Sequence, residues 1–201
     1  MTPPAPVPRV AGLDYSLTST GLATTHPHKA TLIKPRVDGH ARLQELKVSV
    51  AALLRQARPS LVVVESGSYA STSSTFHQLA GGWWILTHQI HQLGIPYATV
   101  APSTLKRYAT GSGKATKTMM LGAARAAWPG IPVQNDDAAD ALFLAALGAQ
   151  YLGRPIFRSP APDAVRVVDW PRVGRKPATP KKTSTTPKAR KAGRARLRVR
   201  N

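Results

Sequence analysis

The stretch "SLVVVES", residues 60–66, decides the fold class. Four apolar residues in succession, three of them β-branched, are typical of a strand that is buried on both faces of a sheet. Glu65 follows this run directly, so a carboxylate stands at the carboxyl end of a central strand. Because open α/β sheets hold their functional sites at the carboxyl ends of the strands, Glu65 is a candidate functional residue.

On both sides of this strand, strand patterns alternate with helix patterns. Upstream, three short stretches predict an antiparallel meander: "PRVAGLDYS" (8–16) with its strand ending at Asp14, "STGLATT" (19–25) and "KATLIK" (29–34). Residues 95–100 predict a fifth strand. Helical spacing of apolar residues predicts helices over 39–57, 72–93, 115–128 and 136–151. The predicted class is therefore α/β, with a mixed five-stranded sheet flanked by helices.

The overall charge points to a polyanionic partner. The chain has 201 residues, with 28 Lys and Arg against 9 Asp and Glu, a net charge of +19. This balance favours nucleic acid over an anionic membrane surface. No apolar stretch approaches the length of a membrane span, so no membrane partner is expected. Cysteine is absent, which excludes disulfides and thiolate metal sites and fits a cytoplasmic protein.

The charge is concentrated at the C-terminal end, which predicts the domain organisation. Residues 171–201 hold twelve Lys and Arg and no acid, and they are rich in Pro, Thr and Ala. Such a segment cannot bury a core, so it is predicted to be a disordered basic tail. The folded domain is predicted over 1–155, followed by a C-terminal extension over 156–170.

The stretch "NDDAADALFLAALG", residues 135–148, places three aspartates before a nearly continuous apolar run. Asp137 and Asp140 are three residues apart on the predicted helix, so their side chains share one face. Asn135, Asp136 or Asp137 would also suit a helix N-terminus, but capping does not explain Asp140. Asp14 and Glu65 stand at the carboxyl ends of two strands, so we expect all four carboxylates to lie close together. Oxygen ligands gathered without Cys or His suit Mg²⁺ or Mn²⁺, and a pair of such ions can act on a phosphodiester.

Four stretches within residues 8–150 resemble the RuvC-type Holliday junction resolvases of the ribonuclease H-like superfamily. They are "GLDYSLTSTG", "VVVES", "LKRYATGSGKATKT" and "DDAADAL". The resemblance implies a ribonuclease H-like fold and a homodimeric Mg²⁺-dependent endonuclease that nicks two opposed strands of a four-way DNA junction. It also implies two Mg²⁺ ions per active site, with Mn²⁺ as a substitute. Its implied metal ligands are Asp14, Glu65, Asp137 and Asp140, and Asp136 is not required by the pattern.

The stretch "LKRYATGSGKATKT", residues 105–118, is interpreted as a basic loop. Its two glycines allow close approach to a nucleic-acid backbone, and Lys106, Arg107, Lys114 and Lys117 supply phosphate partners. The resemblance implies a catalytic role for Lys117, near the scissile phosphate, and a DNA contact for Lys106. A nucleotide-binding P-loop is excluded, because Tyr108 and Ala115 occupy positions where that motif needs Gly and Ser or Thr.

The aromatic residues after Glu65 are candidates for stacking on a DNA base. The resemblance implies such an aromatic near the junction centre, and Tyr69 and then Phe76 are the nearest candidates, although Phe76 also suits a core position. Further along, Leu79, Trp83, Leu86, Ile90 and Leu93 form an apolar helical stripe. Most such stripes are core, and a dimer interface is the second interpretation, with Trp84 on another face of the helix.

The residues alone do not exclude two other functions. A related nuclease acting on RNA or other branched DNA would use the same carboxylates, because fold alone does not separate substrates. A non-catalytic nucleic-acid-binding protein would need only the basic tail, but it leaves four placed carboxylates unexplained. A sugar-kinase-like or actin-like ATPase is disfavoured, because the chain lacks a second phosphate-binding hairpin and is short.

Overall fold

The computed structural model describes residues 8–67 and 76–173. Its strands are β1 (Val10–Asp14), β2 (Thr20–Thr25), β3 (His28–Ile33), β4 (Leu61–Glu65) and β5 (Tyr97–Val100). Its helices are α1 (Gly39–Ala57), α2 (Phe76–Gln92), α3 (Pro102–Thr110), α4 (Lys117–Ala127) and α5 (Asp136–Tyr151), followed by a short 3-10 helix (Pro162–Val167). None of the helices in these two ranges is long and apolar enough to cross a membrane.

The sheet is mixed and has the strand order β3-β2-β1-β4-β5. The first three strands form the predicted antiparallel meander, and β4 and β5 join the sheet in parallel with β1. The predicted α/β class with a mixed five-stranded sheet is confirmed. Because β1 and β4 are parallel neighbours, Asp14 and Glu65 end their strands at the same edge of the sheet.

Strand β4 is buried on both faces, as its apolar run predicts. Val62 and Val64 pack with helices α1 and α2 on one face of the sheet. Leu61 and Val63 point to the other face and pack against the layer formed by α3, α4 and α5. The two faces alternate because successive side chains of a strand point in opposite directions. The molecule thus has three layers, with the sheet in the middle.

Helix α3 corrects the prediction that residues 105–118 form a loop. The helix begins with Pro102 in its first turn and ends before Gly111, which has a positive φ of 85°. Leu105, Tyr108 and Ala109 bury one face of the helix, at the spacing of three and four that a helix requires. The glycine-rich part, residues 111–113, is only the connection between α3 and α4. Lys106 and Arg107 therefore lie on a helix that is packed on the core.

Helix α5 is the centre of the second layer. Nearly all of its residues after Asp137 are buried, and the small alanines let it lie close against the sheet. One very close approach is at Gly21 of β2, where a Cβ would stand 2.1 Å from the backbone oxygen of Asp137. Only glycine fits there. This contact seats the first turn of α5 directly over the edge of the sheet where β1 ends.

The predicted C-terminal extension packs on the same body. Ile156, Phe157 and Trp170 pack against the core cluster on the α5 side of the sheet, and Ala164 is fully buried there. The last described residue, Val173, also contacts this cluster. Residues 174–201, most of the predicted basic tail, lie outside the described residues. The division into domain, extension and tail stays a prediction.

Candidate active site

Two strand ends bring the first pair of acids together. Leu13 of β1 is in register with Val64 of β4, so Asp14 and Glu65 follow as neighbours at the same edge. Their carboxyl groups share a hydrogen bond with each other. Asp14 is buried, with 7% of its surface exposed, and Glu65 is half-buried. The two strand ends therefore place two carboxyl groups side by side at one edge of the sheet.

The N-terminal cap of α5 adds the second pair. The side-chain oxygen of Asn135 accepts a hydrogen bond of 3.0 Å from the backbone N–H of Ala138. The amide nitrogen of the same side chain donates to Asp137 Oδ2 at 2.7 Å and to Ser19 Oγ at 3.2 Å. Asn135 therefore caps the helix, orients Asp137 and ties both to the turn that follows β1. Asp140 lies one turn further along the same face.

The four carboxylates raise the cost of ionisation for one another. Burial, followed by the charges of Glu65, Asp140 and Asp137, raises the pKa of Asp14 well above its ordinary value. Burial and the neighbouring charge of Glu65 raise the pKa of Asp140 from 3.8 to about 7. Burial raises the pKa of Glu65, although its hydrogen bond with Asp14 and the charge of Lys106 partly offset this effect. A concentration of acids that is this costly to ionise is typical of a functional site.

The donor set fits a hard divalent cation. Asp140 Oδ1 is buried and has no hydrogen-bond partner in the structure. A buried carboxylate oxygen without a partner is costly, and a cation would satisfy it. In residues 8–67 and 76–173, however, no three Asp, Glu or His side chains already stand at ligand spacing. Asp14 and Glu65 instead bond to each other, and Asp137 bonds to Asn135. The four carboxylates lie near one another, but they do not surround a common point at which a cation would bind.

Two lysines face this cluster from neighbouring helices. Lys106 of α3 is close enough that its charge lowers the pKa of both Glu65 and Asp140, against the larger effect of burial. Lys117 is the first residue of α4 and forms an ion pair with Asp136. That hydrogen bond raises the pKa of Lys117 and lowers the pKa of Asp136. Two ammonium groups, those of Lys106 and Lys117, therefore lie at the edge of the carboxylate cluster.

Comparison with known proteins identifies the family. No family model matches the chain. The crossover junction endodeoxyribonuclease RuvC of Corynebacterium diphtheriae is 31% identical over 151 residues, which cover 67% of this chain and 89% of that protein. The chain belongs to the RuvC family.

Two solved RuvC structures share the fold of this RuvC-family chain. The Thermus thermophilus RuvC structure has a TM-score of 0.58 at 21% identity, over 75% of this chain and 99% of that chain. T. thermophilus RuvC in complex with a Holliday junction substrate has a TM-score of 0.55 at 20% identity, over 75% and 98% of the two chains. The predicted ribonuclease H-like fold and family resemblance are confirmed.

The remaining predicted DNA contacts of this RuvC-family chain occupy varied positions. Arg107 forms an ion pair with Asp163 of the 3-10 helix, which ties α3 to the C-terminal extension. Lys114 is exposed in the connection before α4. Phe76 lines a cleft of about 290 Å³ beside Glu65. Tyr69 lies outside the described residues. The DNA-binding roles of these residues stay predictions.

Three residues around the acids make contacts that were not predicted from the sequence. Asp136 holds Lys117, although the family pattern does not require it. Tyr15 follows Asp14 directly, lines the cleft and packs on α2. Trp83 donates a hydrogen bond to the backbone oxygen of Glu65, although its apolar stripe predicts core or interface packing. Its neighbour Trp84 is 64% exposed, on another face as predicted. The sequence signal for the contacts of Tyr15 and Trp83 is the polar atom in each side chain, because buried phenols and indoles usually need hydrogen-bond partners.

Proposed function

We propose that this RuvC-family chain is a metal-dependent endonuclease that resolves four-way DNA junctions. The observation that supports this proposal most strongly is the cluster of buried and half-buried carboxylates formed by Asp14, Glu65, Asp137 and Asp140, which includes a buried oxygen of Asp140 without a partner. The family supplies the reaction class, since the related chain from C. diphtheriae is named a crossover junction endodeoxyribonuclease. The net charge of +19 supports a DNA substrate.

The four acids would hold Mg²⁺, two ions per site, with Mn²⁺ as a substitute. Carboxylate oxygens are the ligands these ions prefer, and the chain has no cysteine to favour a softer metal. When bound, such ions supply Lewis-acid stabilisation of charge on the attacking and leaving oxygens of a phosphodiester. Because the pKa of Asp14 is raised, binding of a cation at these acids should release protons and weaken as the pH falls.

The lysines have a separate function, which is to meet the phosphate. Lys106 lies near the acids, and its positive charge offsets part of their mutual repulsion, so that the cluster does not repel DNA with its full negative charge. The side chain of Lys117 is 82% exposed and reaches Asp136 at the rim of the cluster. From this position its ammonium group is accessible to an incoming scissile phosphate. We propose that Lys117 stabilises the charge that develops there during cleavage.

A purely DNA-binding protein gains nothing from this arrangement. Burial of several carboxylates destabilises the folded state at neutral pH, and a negative centre repels phosphate. The same acids would also serve a nuclease that cuts RNA or other branched DNA. T. thermophilus RuvC has been solved with a Holliday junction substrate, and that structural neighbour favours the junction for this chain.

A homodimer is part of the proposal, because paired nicks on opposed strands need two active sites. Trp84 of α2 is 64% exposed, so its indole is available to pack in an interface. The family resemblance favours dimerisation through a helical surface of this kind. Light scattering of the purified chain should give a mass near twice 21.5 kDa.

The decisive experiment offers the purified protein five substrates of matched sequence with Mg²⁺: four-way junction, Y-fork, duplex, single strand and structured RNA. We expect cleavage of the junction by symmetric nicks, absent in EDTA and restored by Mn²⁺. Preference for the Y-fork or for RNA would support the related nuclease instead. Metal-independent binding to all substrates without any cutting would overturn the enzymatic proposal.

A further inference from the structure

Trp83 makes a hydrogen bond that packing alone does not require. Its indole Nε1–H donates to the backbone oxygen of Glu65 at 2.9 Å, across 18 residues of sequence. Glu65 is the last residue of β4, and the register between β1 and β4 ends one position earlier, at Leu13 and Val64. The Glu65 carbonyl therefore lies past the paired part of these two strands. The indole therefore supplies a donor where pairing with β1 has ended, although Glu65 is still in register with Val100 of β5.

The same helix also holds the residue that follows Asp14. The ring of Tyr15 packs against Gly82, where an added Cβ would stand 1.9 Å from the tyrosine hydroxyl. That hydroxyl donates to the backbone oxygen of Gln78 at 3.4 Å. Gly82 is thus needed for Tyr15 to sit between the end of β1 and α2. Consecutive residues of α2, Gly82 and Trp83, contact the ends of both acid-bearing strands.

We propose that α2 is a positioning element for the active site, and that Trp83 is its principal positioning residue. The indole holds the Glu65 backbone while Gly82 seats Tyr15 beside Asp14, so the two carboxylates keep their mutual spacing. This matters because the pairing between β1 and β4 ends just before Asp14 and Glu65, so each acid keeps a paired strand on one side only, Gly21 of β2 for Asp14 and Val100 of β5 for Glu65. The inference rests on the proposed function, since it assigns Trp83 to the same carboxylate site.

Partners of ligating residues orient them and commonly contribute tenfold or more to metal affinity. Trp83 differs from such partners in one respect, because it holds the backbone and not the carboxylate itself. Its loss should therefore loosen the placement of Glu65 without removing a ligand. The expected consequence is weaker metal affinity, with the cleavage rate largely recovered at saturating Mg²⁺.

The test replaces Trp83 with Phe, which keeps an aromatic ring but removes the N–H donor. The matched control is Trp170→Phe, because the Trp170 indole also donates to a backbone oxygen, that of Val165 at 2.7 Å. Trp170 stacks on Tyr151 at the opposite end of α5, so its loss cannot reach the acids directly. Metal affinity is read without activity, from the Mg²⁺ concentration that gives half of the metal-induced rise in melting temperature.

We expect Trp83→Phe to need on the order of tenfold more Mg²⁺, in both the thermal shift and the cleavage assay. Trp170→Phe should lower the melting temperature but leave the Mg²⁺ midpoint unchanged. Equal Mg²⁺ midpoints for wild type and Trp83→Phe would overturn the inference while leaving the nuclease proposal intact. A wild type that neither binds Mg²⁺ nor cuts any substrate would instead overturn the nuclease proposal, and the positioning role with it.

The hydrogen bond itself is tested on the metal-free wild type by exchange of indole protons. We expect the Trp83 Nε1–H, like that of Trp170, to exchange much more slowly than that of the exposed Trp84. Exchange of Trp83 as fast as that of Trp84 would show that the contact does not persist in solution. That result would overturn the positioning role whatever the metal titration showed.

Discussion

At its N-terminal end α5 carries Asp137 and Asp140 into a cluster of buried acids, whereas at its C-terminal end Tyr151 stacks flat on Trp170 with ring centroids 4.4 Å apart. The Tyr151 hydroxyl donates to the backbone oxygen of Pro171 at 3.1 Å. By contrast, Asp140 Oδ1 is buried without a partner. The two ends belong to one helix about 24 Å long, at 1.5 Å per residue.

The difference separates function from stability along a single element. The C-terminal end buries apolar rings and pairs their polar atoms, which stabilises the fold. The N-terminal end gathers charges that disfavour one another and leaves one oxygen open, which costs stability and suits a cation. Between them, a fully buried run from Ala141 to Ala149 holds the acids in place relative to the sheet.

Asp140→Asn should have the largest effect, because it removes a charged ligand and keeps the shape of the side chain. We expect Mg²⁺-dependent nicking of a four-way junction to fall on the order of 10³-fold. Junction binding in EDTA should persist or tighten, since a negative charge that faces phosphate is lost. Single-turnover nicking and metal-free gel shift measure the two quantities.

The control for that variant is Asp169→Asn, an identical change at an exposed position near the C-terminal end of α5. It should leave both nicking and binding as in wild type. Undiminished nicking by Asp140→Asn would refute the assignment of this carboxylate to the metal site.

Lys117→Ala should have the next largest effect, and it separates rate from affinity. We expect cleavage to slow about 10²-fold while junction affinity changes by less than about threefold, because a contact that strengthens in the transition state is expressed mainly in the rate. Asp136→Asn removes the partner of Lys117 but keeps the ammonium group, so it should cut within about threefold of wild type. Equal losses of rate and affinity in Lys117→Ala would make it an ordinary phosphate contact.

The metal-free protein should lose stability as the pH rises. The pKa of Asp140 is raised from 3.8 to about 7, so its protonated form stabilises the fold at low pH, and this contribution is lost between about pH 4 and pH 7. From pH 5 to pH 8 in EDTA, we expect the free energy of unfolding to fall by about 3 kcal/mol from this group. Urea unfolding at the two pH values measures the fall.

Asp140→Asn cannot ionise at this position, so it should reduce the fall and exceed wild type in stability at pH 8 without metal. Saturating Mg²⁺ should stabilise wild type more than the variant, because binding to the folded state adds stability. A fall of the same size in both proteins would show that Asp140 is not held protonated.

Deletion of residues 174–201 should have the smallest effect on the active site, and we expect the cleavage chemistry to be unchanged. The deletion removes eleven Lys and Arg and keeps Pro171, which holds Tyr151. Affinity for junction and duplex should fall alike, and its dependence on salt should flatten, because fewer counterions are released. An unchanged salt dependence would show that the tail does not contact DNA.

Local sequence patterns predict most of the elements that carry these two ends, but not all of the elements of the fold. The five strands, the four predicted helices and the positions of the acids follow from local periodicity, which neighbouring residues encode. Helix α3 was missed because the glycines of residues 111–113 dominate the pattern, although Pro102 and the spacing of Leu105, Tyr108 and Ala109 are typical of a helix. These four residues are sufficient to predict the helix.

The α/β class and the placement of acids at two strand ends and at the start of one helix can be inferred from short-range patterns of side chains. Which groups contact one another depends on how the elements pack in three dimensions. Lys117 pairs with Asp136, Arg107 pairs with Asp163, and Trp83 holds the Glu65 backbone. These partners lie 18 to 56 residues apart along the chain. Their contacts arise from the packing of separate elements on the sheet, which no local pattern of the sequence records.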